Sequence, residues 1–119
     1  MRKLILGGAV FLPALFFFGC KKDQLAAPPD GAQAAQALVN RGKAVYLSVC
    51  IACHNSDPHQ PGVLGPEIAG SSKELIEARV MRAEYPAGYS PKRPSHTMVA
   101  LPHLKDEIDG LHAYLNSLQ

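Results

Sequence analysis

The feature that most constrains this chain is a run of five residues, Cys50-Ile51-Ala52-Cys53-His54. With 3 Cys and 5 His in 119 residues, such a pentad arises by chance roughly 0.003 times. It asks the backbone to present two thiols and an imidazole within one short turn. The remainder of the chain is poor at building a core unaided: Gly and Pro number 10 each and Trp is absent. A small, loop-rich domain of this kind usually needs a disulfide, a metal or a bound cofactor as a staple. Three cysteines cannot all pair with one another, which makes a disulfide framework a poor choice. The length suits one domain and excludes a multi-domain enzyme with a separate cofactor module.

The first residues read as an export signal. Met1-Arg2-Lys3 is basic, and Leu4 to Gly19 is an uncharged apolar run of 16 residues interrupted by Pro13. That is short for a membrane span and matches the n- and h-regions of a signal peptide, residues 1–19. The run ends at Phe17-Phe18-Gly19-Cys20, which resembles a bacterial lipobox, with Cys20 as the residue that carries the lipid. The competing readings are an uncleaved anchor or cleavage without lipid. Residues 20–32, with Pro28-Pro29, read as a lipid-anchored tether, and 33–119 as the folded domain. The formal charge of +2 comes from Arg2 and Lys3, so the mature chain is neutral and carries no nucleic-acid-binding footprint. The expected location is the bacterial cell envelope, on the periplasmic side.

The domain reads as all-α. Ala35, Leu38, Gly42, Val45, Tyr46 and Val49 recur at helical steps and predict an amphipathic helix over 33–49. Gly42 lies at the centre of that stripe and costs about 1 kcal/mol relative to Ala, which implies a close crossing there. Ser71 and Glu74 form a capping box that opens a second helix running to Glu84, with Leu75, Ile76, Val80 and Ala83 on its apolar face. A third helix is expected over 104–117, with Leu104, Ile108, Leu111, Leu115 and Leu118 on one side. Long Pro/Gly-rich loops lie between the helices, and no segment alternates as a strand.

The pentad has a specific chemistry. Two thiols at this spacing reach the two vinyl groups on one edge of a haem as thioethers, and the adjacent His sits below the ring as an iron ligand. Export is consistent with this, because such attachment takes place outside the bacterial cytoplasm. The rival readings are a local Cys50–Cys53 disulfide, a thioredoxin-like dithiol, which requires strands in a βαβ arrangement, and a zinc site, which requires further ligands at matching spacing.

On these residues the chain resembles the class I c-type cytochromes over 33–118. The resemblance implies a small domain of three main helices, with long loops wrapped around one covalent haem c attached through Cys50 and Cys53. It implies His54 as the proximal iron ligand and pairs Gly42 with Tyr114 across the first and last helices. It also implies that Gly65-Pro66, with Gly70, shapes the proximal wall, the Pro66 carbonyl accepting the His54 Nδ1 proton so that Nε2 is free for iron. By the same resemblance Met98 supplies the sixth ligand. Val99 stands where the family often has Pro, and Pro94 and Pro102 restrict the backbone on either side. His96, on the same loop, is the competing donor, and an open sixth site is the other alternative. His59 and His103 are expected at the surface, and Met81 as a surface or flexible packing residue. Tyr85, Tyr89, Lys92 and Arg93 are candidates for propionate contacts or a docking rim, or simply a solvated loop.

The function implied is single-electron transfer, not enzymatic turnover, with redox proteins or membrane-bound respiratory complexes as partners and with a lipid-held membrane association. The alternative is a haem-based sensor or ligand-binding module with a labile sixth ligand.

Overall fold

The structure, a computed structural model, describes residues 30–119. The expected signal at 1–19, the lipidation residue Cys20 and residues 20–29 of the tether lie outside the described residues. Among those described there are three α-helices and no strand, in agreement with an all-α domain.

Helix α1 spans Gly31–Val49. Asp30 caps it, its Oδ1 accepting the Gln33 N–H at 2.9 Å, and this satisfies an amide that the first turn would otherwise leave unpaired. The cap starts the helix two residues ahead of the sequence-based boundary, so Gly31 and Ala32, read as the end of the tether, belong to its first turn. Helix α2 spans Lys73–Arg82. Its cap is Ser72, whose Oγ accepts the Leu75 N–H at 3.2 Å, and not Ser71, whose hydroxyl donates to the Ile68 carbonyl at 2.7 Å. The helix stops short of Glu84 because Ala83 turns left-handed at φ 56°. Helix α3 is also shorter than expected, spanning Ile108–Asn116. The preceding Pro102–Glu107 winds as a 3₁₀ segment with Pro at its start and no side-chain cap. Leu104, Ile108, Leu111 and Leu115 are nonetheless all buried, because the tighter segment still turns one face inward.

The most extensive contact joins α1 to α3. They cross where Gly42 meets Gly110: a Cβ on Gly42 would run into the Gly110 carbonyl and the Leu111 nitrogen. The expected Gly42–Tyr114 pairing is therefore corrected. One turn further along each helix, Tyr46 and Tyr114 meet instead, with ring centroids 5.5 Å apart and tilted by 52°. Tyr46 is fully buried; its hydroxyl donates to the Asn55 carbonyl, and burial above all pushes its pKa up to about 12. Ile76 and Val80 of α2 complete the core with Leu104, Ile108, Leu111 and Leu115. At the surface, Arg41 grips Glu107 through two hydrogen bonds of 2.6 and 2.5 Å, and Lys73 pairs with Asp109 at 2.5 Å. The Arg41 guanidinium holds the Glu107 carboxyl below its ordinary range.

Candidate functional site

The pentad lies where α1 ends. The Cys50 N–H still bonds to the Tyr46 carbonyl, and the chain then tightens into a 3₁₀ turn over Cys50–Ala52. The Cys50 carbonyl accepts from both Cys53 N–H at 3.2 Å and His54 N–H at 2.9 Å. The burial of Tyr46 thus fixes the helix end from which both cysteines and His54 project. Cys50 and Cys53 are free thiols, not joined as a local disulfide. Burial, and after it the neighbouring Cys53, pushes the Cys50 thiol up to about 11. That is opposite in sign to the lowered value that makes a dithiol redox centre reactive.

The loop after the pentad folds back beneath His54. The Cys53 carbonyl accepts from Leu64 N–H at 3.2 Å and Gly65 N–H at 2.9 Å, and the Pro58 carbonyl accepts from Ile68 and Ala69 at 2.9 and 3.0 Å. Two glycines make this return possible. A Cβ on Gly62 would collide with the Cys53 and His54 backbone, and one on Gly65 would lie 2.5 Å from Cε1 and Nδ1 of the His54 ring. Gly62 was not picked out from the sequence; its only signal was its place in a Pro-Gly pair inside a Pro/Gly-rich stretch. Pro66 follows, and His54 Nδ1 lies 2.8 Å from its carbonyl oxygen. That oxygen can only accept, so Nδ1 carries the proton and a neutral ring has its lone pair on Nε2. The hydrogen bond expected of Pro66 is present. Gly70, expected alongside it, lies elsewhere: its N–H donates to the Leu115 carbonyl at 2.9 Å and ties the loop to α3.

His54, Cys50 and Cys53 all face one cleft of about 280 Å³, and Met98 lines it too. Leu75, Ile76 and Val80 of α2 and Leu111 and Leu115 of α3 supply an apolar wall. Met98 is half-buried and packs against the core. His96, the competing donor, is exposed and does not line the cleft, nor does Met81, which is half-buried on α2. His59 and His103 are exposed, as expected.

The rim is polar and tied down. Tyr85 and Tyr89 stack with centroids 5.4 Å apart and planes 6° from parallel. Arg79 lies over the Tyr85 ring at 4.1 Å and donates to the Ala83 carbonyl at 2.5 Å. Arg79 was missed in the sequence, although it stands four residues after Leu75 and three after Ile76, on the face of α2 that meets the cleft. Lys92 donates to the Glu67 carbonyl at 3.0 Å and pairs with its carboxylate at 3.1 Å. Arg93 donates to the Gly62 carbonyl at 3.2 Å.

This donor set suits an iron porphyrin. It combines two free thiols, an imidazole with its Nδ1 committed to a carbonyl, and a thioether within one apolar cleft edged by cations. Among the described residues no three His, Cys, Asp or Glu side chains gather as a metal-binding group, so a closed zinc site of such ligands is not formed there. Compared with protein-family models, curated proteins and solved structures, the chain matches none of them.

Proposed function

We propose that the chain is an exported monohaem cytochrome of the c type, anchored by lipid on Cys20, that carries single electrons between redox partners in the bacterial cell envelope. The observation that carries this reading is the His54 Nδ1–Pro66 hydrogen bond at 2.8 Å, set in a cleft that Cys50, Cys53 and Met98 share with His54. Cys50 and Cys53 would hold the haem covalently, and His54 Nε2 and the Met98 thioether would ligate its iron. When bound, the haem supplies a one-electron ferric/ferrous couple. The protein's own part is to orient and exclude. Pro66 keeps the proton on Nδ1, Gly65 lets the backbone press against the imidazole, and the aliphatic wall of α2 and α3 keeps water from the ligand faces. Glu67, the one acidic side chain among the described residues that line the cleft, is paired with Lys92.

Covalent attachment is the decisive test. Haem should remain on the polypeptide through denaturing electrophoresis and acid extraction, and Cys50→Ala or Cys53→Ala should each weaken that retention. A denatured wild-type chain free of haem overturns the reading. The anchor is tested separately: the mature protein should begin at an acylated Cys20, and Cys20→Ser should leave the precursor unprocessed or release the protein from membranes. Mass spectrometry showing another N-terminus without acyl mass would remove the lipid anchor and leave the haem reading standing.

A further inference from the structure

Among the described residues, the segment carrying Met98 makes hydrogen bonds to the rest of the chain only near its two ends. On its C-terminal side the Leu101 N–H donates to the Val80 carbonyl of α2 at 2.7 Å. On its N-terminal side Lys92 and Arg93 reach across the mouth of the cleft to Glu67 and Gly62. Between these points, among the described residues, no backbone hydrogen bond ties residues 94–100 to the rest of the chain; Ser95 and Thr97 bond only to each other. A thioether on such a span has no ladder of its own to hold it in place.

What Lys92 and Arg93 hold is specific. Gly62 is the residue packed on the Cys53 and His54 backbone, and its N–H donates to the Gly65 carbonyl at 2.9 Å. Glu67 directly follows Pro66, the hydrogen-bond partner of His54. Both cations therefore connect the Met98 segment to the loop that folds back beneath His54, Arg93 and Lys92 over sequence separations of 31 and 25 residues. Arg93 is half-buried and Lys92 exposed, so the Arg93 bond, made by a charged donor away from bulk water, is the stronger of the two.

We propose that Lys92 and Arg93 form a two-point clasp that closes the Met98 loop onto the His54 loop, and that this clasp sets how firmly Met98 stays in place as the sixth ligand. Both are positioning residues and act through Met98. The proposal rests on the haem reading above. An added neutral ligand such as imidazole competes only while Met98 is displaced, so its apparent affinity scales with the fraction of open protein. Loosening the clasp raises that fraction.

The experiment is a spectroscopic titration of the ferric haem-loaded protein with imidazole. Arg93→Gln should bind it about tenfold more tightly than wild type, Lys92→Gln a few-fold more tightly, and Arg93→Lys should restore part of the difference. Glu67→Ala removes charge of the opposite sign, and under the clasp it shifts affinity in the same direction as Lys92→Gln; opposite shifts would show a field effect and overturn the proposal. Arg82→Gln, at an exposed pair with Glu84, should leave the affinity unchanged. Met98→Ala marks the fully open limit. If it binds imidazole tightly while Arg93→Gln, Lys92→Gln and the double variant all behave as wild type, the clasp is refuted and the haem reading stands. If wild type carries no covalent haem, it is the haem reading that fails. Should Arg93→Gln fold poorly, faster exchange of the Leu101 amide, which donates to the Val80 carbonyl, in Lys92→Gln than in wild type keeps the proposal, and unchanged exchange rejects it.

Discussion

Replacing Met98 with Ala is expected to leave haem covalently attached, open the sixth coordination site and lower the reduction potential. The thioether favours ferrous iron, and its loss exposes the metal to water and added ligands. Since axial ligands set haem potentials over about 0.8 V, a fall of roughly 0.1 V or more is expected. Met98→His should keep six-coordination and still lower the potential, because imidazole favours ferric iron more than a thioether does. Two neighbours serve as controls. His96 is exposed outside the cleft and Met81 does not line it, so His96→Ala and Met81→Ala should keep the wild-type spectrum. Spectroelectrochemical titration of the four variants checks this. A Met98→Ala protein with wild-type spectrum and potential would place the sixth ligand elsewhere, and a wild type that is high-spin and binds carbon monoxide readily would favour the sensor alternative.

Gly42→Ala is expected to be the most damaging single methyl in the described part of the chain. In an exposed helix the change would help by about 1 kcal/mol. Here the added carbon lands on the Gly110 carbonyl and the Leu111 nitrogen, and backbone cannot swing aside as a side-chain tip can. Helices α1 and α3 must part at their main contact, loosening the Tyr46–Tyr114 pair and with it the helix end that presents the cysteines. Overpacking of this kind costs about 3 kcal/mol, equivalent to a fall in Tm of roughly 15 °C for a domain of this size. Gly110→Ala is the informative partner. Its Cβ would sit 3.2 to 3.4 Å from Gly42 and the Leu38 carbonyl, a squeeze relieved by small shifts, so its loss should stay within about 1 kcal/mol. Thermal melts of the two variants decide the matter: equal, small effects would mean that the helices do not cross here.

Periodic and local features were open to reading in the chain. The three helices, the lack of strand patterning and the inward stripe Leu104-Ile108-Leu111-Leu115 follow from spacing of apolar residues, which any packed arrangement of these helices must respect. The need for a small residue at Gly42 was visible for the same reason. Helix ends were less legible, because Ser71 and Ser72 offer the same hydroxyl to α2, and only the route of the preceding loop decides that Ser71 bonds back to Ile68. Likewise Pro102 and the lack of a side-chain cap let residues 102–107 wind as a 3₁₀ segment within a stretch whose periodicity alone reads as one continuous helix.

By itself the sequence determined the helical class and the chemistry on offer: two thiols and an imidazole at fixed covalent spacing, in a chain too rich in Gly and Pro to build a thick core. These depend on residue type and separation along the backbone, which folding does not alter. Tertiary structure alone decided which distant residues meet. It set Gly42 against Gly110 instead of Tyr114, brought Met98 and not His96 to the cleft of His54, turned Arg79 to that cleft's rim, and linked Lys92 and Arg93 to Glu67 and Gly62. The physical reason is that these contacts, the local ones of Arg79 apart, close loops of more than twenty residues, and each partner is selected by how three helices pack, a property carried by no short stretch of the chain.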